Sequence, residues 1–225
     1  MPNFLLIETA SSVCSVAAAN ENGIIAVREN EDGQQHATLI TVFVDEVLKE
    51  SSFSFDAINA VVVSAGPGSY TGLRIGISAA KGICFGADLP LIAIDSLQAL
   101  ANGFAEEKKY TGIICSAFDA RRDEIYYGIW NENSETIVTS RAAILNDEFL
   151  SVIHSIDSPI AFVGNGALKA TNFLSDKKHS CHSDIKSSAG YLLAAAIKKF
   201  NAKDFVDVAY FEPYYIKPFY FAEKK

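Results

Sequence analysis

Apolar residues run unbroken from Ala60 to Val63 and stop at Gly66-Pro67-Gly68, after which an apolar, small-residue pattern resumes at Leu73. The run lacks polar alternation and is β-branched, which predicts a strand covered on both faces. Gly66-Pro67-Gly68 breaks it. Ser69 is placed to cap a following helix that reaches about Phe85. Leu73, Ile77, Ala80 and Cys84 recur at helical spacing and form its core face. Gly72, Gly76, Ala79 and Ile83 form a neighbouring face with little side chain on it. A glycine inside a helix costs about 1 kcal/mol relative to alanine. Gly72, Gly76 and Gly82 therefore imply close approach of another backbone, a ligand or a second helix.

The same patterning organises the rest of the chain. Asn3–Thr9, Val13–Ala19 and Gly23–Glu29 read as three strands of an antiparallel meander. Residues 34–51 read as a helix whose apolar arc, from Leu39, Val42, Phe43 and Val44 to Val47, is wider than one stripe. Pro90–Asp95 is a further buried strand, and Ser96 is read as the cap of a helix to about Glu107. The second half repeats the plan without repeating the sequence. Tyr110–Phe118, Asp123–Trp130 and Glu135–Ala142 are strands, and Asn146 caps a helix to His154. Pro159–Val163 is a strand, Ala167–Leu174 a short helix, Ser175–Lys186 a polar loop and Ser187–Phe200 a helix. An aromatic, proline-containing tail follows. The best cut gives lobes 1–108 and 109–225. Two tandem lobes of strands followed by alternating helices and strands predict an α/β fold of the actin, sugar-kinase and chaperone-ATPase type, each lobe a mixed sheet with helices.

Composition narrows the function classes. The chain has 225 residues, 49% of them hydrophobic and 20% charged, which suits a folded globular protein. A net charge of −8 argues against tight unaided binding to nucleic acid, whose affinity rests on neutralised phosphates. Cys14, Cys84, Cys115 and Cys181 are widely separated, so no disulfide framework is read and a reducing, cytoplasmic setting is favoured. No signal peptide and no membrane-spanning run are read.

Several stretches carry candidate chemistry. Gly66, Gly68 and Ser69 sit between strand and helix, where backbone N–H groups can hold an anion. The spacing is neither that of a Walker loop nor of a regular dinucleotide turn. Asp95 ends the next strand, about where a dinucleotide-binding acid sits, which keeps an NAD(P)-binding reductase as one rival. Glu8 and Thr9 end the first strand beside the expected cleft; Glu8 can organise a metal and water, or bond to the adjacent turn. Asp119-Ala120-Arg121-Arg122 lies at the hairpin that opens the second lobe, where the arginines, Arg121 among them, can hold a phosphate or a partner carboxylate, or the turn is simply solvated. His179-Ser180-Cys181-His182 fits no zinc spacing, and no metal site is assigned. His36 has no second histidine one turn on, since residue 40 is Ile, and is read as a surface or interface residue. No nucleophile elbow is present.

Leu5–Ala17 with its Glu8-Thr9-Ala10-Ser11-Ser12 core, Gly66–Gly76 (GPGSYTGLRIG), and Asp119-Ala120-Arg121 with Glu124-Ile125-Tyr126 closely resemble the TsaB family. That resemblance covers the whole chain. It implies the two-lobe actin-like fold and a non-catalytic subunit of the bacterial machinery for threonylcarbamoyladenosine in tRNA. The implied partners are a TsaD-type paralogue and a TsaE-type ATPase. No cofactor is assigned to this chain alone, ATP or ADP and a metal in the complex are expected on those partners, and tRNA is met only through the complex. A homodimer is expected when the chain is alone. The implied interface is carried by the first two helices, through His36, Leu39, Val42, Phe43, Val47, Gly72, Arg74, Gly76, Ala79 and Ile83. Two departures stand out: Glu8 replaces the aspartate of many members, and Pro213–Pro218 replaces a tyrosine-leucine-arginine run. The enzyme-class rival is a nucleotide-dependent kinase or ATPase of the same fold.

Overall fold

β1 (Asn3–Glu8) is buried throughout its apolar length because its two faces are covered by different layers. Leu5 and Ile7 face one cluster with the helices of the first half, and Phe4 and Leu6 face another. The same alternation splits β4 (Ala60–Gly66), with Val61 and Val63 on one side and Ala60 and Val62 on the other. A continuous apolar run is what a strand covered on both faces requires. The computed structural model describes residues 1–33 and 35–217. Gln34, at the start of the first expected helix, and the tail from Pro218 on lie outside the described residues.

β1 pairs antiparallel with β2 (Cys14–Asn20), and β2 with β3 (Gly23–Asn30), as the meander predicts. β4 lies parallel beside β1, with Phe4 opposite Ala60, and β5 (Leu91–Asp95) parallel beside β4. The sheet order is β3-β2-β1-β4-β5. The second half builds the equivalent sheet from β6 (Ile113–Asp119), β7 (Glu124–Trp130), β8 (Thr136–Ile144), β9 (Ile160–Val163) and β10 (Ser180–His182), ordered β10-β9-β6-β7-β8. β10 falls within what reads as a polar loop. It is short, and its residues are mostly exposed, so it carries no hydrophobic signal.

The helices are α1 (His36–Ser51), α2 (Tyr70–Ala87), α3 (Ser96–Lys108), α4 (Asp147–His154), α5 (Ala167–Leu174) and α6 (Leu193–Asn201). Asp95, not Ser96, caps α3: its carboxylate accepts from the N–H groups of Leu97 and Gln98, both at 2.9 Å. α3 lies between the sheets. Its Leu100 and Phe104 share one cluster with Val61 and Val63 of the first sheet and with Ile114, Phe118 and Trp130 of the second. α4 and α5 cover the far side of the second sheet through Phe149, Ile153, Ala167 and Ala170.

The last part of the expected second lobe, 109–225, packs on the first sheet. Ala189 and Leu192, in a 3₁₀ turn, and Ala196 of α6 pack against Phe4, Leu6, Val62 and Ile92 of the first sheet. Within residues 1–108 Ala99 of α3 joins the outer face of that sheet, and the returning chain supplies further cover. Val206 then donates its N–H to the Leu91 carbonyl at the free edge of β5. Among the described residues no helix is long and apolar enough to cross a membrane.

Candidate functional site

The carboxyl ends of β1, β4 and β6 bring three loops together around a cleft of about 1130 Å³. Its walls include Ser11 and Ser12 after β1, Gly68, Ser69 and Tyr70 at the start of α2, and Asp119, Arg121 and Arg122 after β6. This is where ligands sit in open α/β sheets. Ser69 caps α2 as its sequence position predicts, its Oγ accepting from the Gly72 N–H at 3.2 Å. Arg121 and Arg122 both hold positive φ angles, 69° and 46°. That left-handed conformation is costly for non-glycine residues and recurs at functional sites. Asp119 is held in place by Lys169, whose ammonium bonds its carboxylate at 2.7 Å and the Arg122 carbonyl at 2.7 Å.

Glu8 and Thr9 do not line this cleft. Glu8 is 1% exposed, and its Oε1 accepts from the Ala10 N–H at 2.5 Å. The bonding is therefore to the adjacent turn. Burial pushes its carboxyl up to about 7, against the opposing effect of hydrogen bonds from Ala10, Ser64 and Thr9. Burial, with Glu8 as a second cause, also raises the neighbouring Cys14 thiol, to about 11. Gly66 is buried beside the tail and donates its N–H to Ser96 Oγ at 3.0 Å. Asp95 spends its carboxylate on capping α3, which removes it from the role of a ribose-binding acid. Among the described residues no group of three or more His, Cys, Asp or Glu side chains is placed to hold a metal.

The small-residue face of α2 has a different meaning from the expected one. A Cβ on Gly72 would overlap the Thr9 carbonyl, and one on Gly76 would overlap the Thr9 hydroxyl. Both glycines admit the end of β1, within the same lobe, and neither is open to a partner helix. Phe43 and Val47 are likewise core residues of the first lobe. His36 is buried, not on the surface, and its Nε2 lies 3.2 Å from the Val13 carbonyl, which ties the start of α1 to the turn before β2. Leu39, Ala79 and Ile83 are partly buried at the edge of the same cluster. Of the expected interface set, Val42 and Arg74 are exposed.

Sequence reasoning missed what completes the outer face of α2. Phe85 is 87% exposed, and Gly82 and Gly86 have nothing within 4 Å of a built Cβ. With Ser78 they form an exposed face of small and apolar residues on α2, and Val42 is exposed on α1. The available signal was Gly82 itself, a third helix glycine off the inward stripe. Also missed were the cleft residues Asn165, Tyr126, Tyr215 and Lys217, which come from distant parts of the chain.

Comparison with known proteins places this geometry. A sequence model of TsaD, tRNA N6-adenosine threonylcarbamoyltransferase, matches residues 24–210. The tRNA threonylcarbamoyladenosine biosynthesis protein TsaB of Escherichia coli (strain K12) is 35% identical over 162 residues, covering 66% of this chain and 69% of that protein. The solved structure of YeaZ from Pseudomonas aeruginosa superposes with a TM-score of 0.83 at 24% identity, covering 96% of this chain and all of that one. ROK hexokinase from Thermus thermophilus superposes with a TM-score of 0.50 at 9% identity, covering 90% of this chain and 100% of the hexokinase. The two lobes thus have the actin-like, sugar-kinase architecture that the strand and helix order predicts.

Proposed function

This chain belongs to the TsaB family of tRNA threonylcarbamoyladenosine biosynthesis proteins, and from that membership we propose that it is a scaffold and activator, not the transferase itself. It serves threonylcarbamoyladenosine modification of tRNA in the cytoplasm. It holds a TsaD-type paralogue in an active arrangement, and a TsaE-type ATPase joins as a third subunit. The observation that carries the reading is the outer face of α2. Ser78, Gly82, Phe85 and Gly86 leave a small and apolar face on α2, and Val42 is an exposed apolar residue on α1, while the inner faces of both helices are buried in the core. Small residues let a partner helix approach closely, and one exposed aromatic supplies a central anchor. The acidic charge fits a subunit that meets tRNA through the assembly.

The test is co-expression of the tagged chain with the TsaD-type protein of its own genome. Co-elution is expected for the native chain. It is expected to be lost for Val42→Asp combined with Gly82→Trp, with the melting temperature unchanged. Co-elution that survives this double variant refutes the docking face. In a reconstituted assay the chain alone is expected to modify no tRNA, and its addition to the partner is expected to raise modification.

The second reading, a nucleotide-dependent kinase or ATPase, is favoured by the cleft of about 1130 Å³ at the strand ends. ATP turnover by the isolated chain would support it over the scaffold.

A further inference from the structure

The segment after α6 crosses from one lobe to the other at the cleft. Lys81 of α2 bonds the Ala209 and Phe211 carbonyls at 3.1 and 3.0 Å and fixes the approach. The Tyr214 N–H then donates to the Ala65 carbonyl at the end of β4, at 2.7 Å. The Tyr214 carbonyl lies where a side chain at residue 66 would be, so Gly66 is the residue that lets the tail lie down there. The Tyr215 ring packs on Tyr70 at the start of α2, with centroids 4.7 Å apart. Two residues on, the partner changes lobe. Lys217 forms an ion pair with Glu124 of β7 and sits over the Tyr126 ring at 5.8 Å.

We infer that residues 213–217 are a latch, which ties the first lobe to the second across the cleft and occupies part of it. The two anchors are of different chemistry, a backbone bond with a ring stack on one side and a partly buried ion pair on the other. Tyr214, Tyr215, Ile216 and Lys217 are all cleft-lining residues. A molecule entering the cleft therefore meets side chains that already hold the lobes together. The shared core around α3 is the permanent joint, and the latch is a second and weaker one, because its contacts are few and partly exposed.

A charge swap on the full chain tests this. Amide hydrogen exchange is followed for segments 65–70 and 119–126 in the native chain, in Lys217→Glu, in Glu124→Lys and in the double swap. Each single reversal is expected to speed exchange about threefold in both segments, the effect of losing one partly exposed ion pair. The double swap is expected to restore native rates. Tyr215→Ala together with Lys217→Glu is expected to speed exchange in both segments by about tenfold or more. Melting curves confirm that each variant is folded. Faster exchange confined to one lobe, unchanged exchange, or a double swap no better than the singles would each overturn the latch.

Discussion

Thr9 fills the space that a side chain on Gly76 would need, and its carbonyl does the same for Gly72 one turn earlier. One residue at the end of β1 therefore dictates two glycines of α2. The small stripe of that helix records a contact inside the lobe.

Opposite outcomes follow for two glycines of the same helix. Gly82→Ala is expected to stabilise the protein by about 0.5–1 kcal/mol, because nothing lies within 4 Å of the added carbon and alanine is the better helix former. Gly76→Ala is expected to destabilise by about 1–3 kcal/mol despite the same propensity gain, because the methyl overlaps the Thr9 hydroxyl. Urea unfolding of the two variants beside the native chain decides it.

Stability is expected to fall as pH rises through Glu8. Its folded carboxyl is raised from 4.5 to about 7, so the folded state holds its proton where the unfolded state has lost it. The contribution is complete below about pH 4.5 and is lost by the time pH passes 7. A shift of this size corresponds to about 3 kcal/mol at most. Glu8→Gln keeps an acceptor for the Ala10 N–H and removes the titration. The stability difference between native chain and variant, measured from pH 5 to pH 8, is expected to move in the variant's favour. A constant difference would sink this account.

Asp95→Ala is expected to cost about 1–2 kcal/mol, the loss of a helix cap that serves two N–H groups. Asp95→Asn keeps the accepting oxygen and sheds a carboxylate whose burial holds it above the ordinary range. It is expected to stay within about 0.5 kcal/mol of the native chain. Thermal melts of the pair separate capping from charge.

Phe85→Ser is expected to leave stability within about 0.5 kcal/mol, since the ring is 87% exposed. Affinity for the proposed TsaD-type partner is expected to fall at least tenfold, the scale of a central aromatic anchor. Calorimetric unfolding and a binding titration of the same preparation read both.

Apart from β10, the strands and helices of both lobes were legible because burial writes unbroken or periodic apolar runs, and glycine and polar turns separate them. Ser69 was legible as a cap because its role is local. What escaped depends on contacts distant in sequence. A helix glycine looks the same whether Thr9 or another chain lies against it. His36 carries no sign that Val13 will cover it. Asp95 and Ser96 are adjacent candidates for one cap, and only backbone geometry chooses between them. The cleft's Asn165, Tyr215 and Lys217 come from loops and a tail with no periodicity to read.

The helix that returns from the second half to wall the first sheet has a genetic consequence. A gene cut between codons 108 and 109 would give a first fragment whose Phe4, Leu6, Val62 and Ile92 are stripped of Ala189, Leu192 and Ala196. The second fragment would lose α3, on which Ile114, Phe118 and Trp130 rest. Neither piece is a transplantable module. Recombination at that seam would yield folded protein only where both fragments are made in the same cell and reassemble.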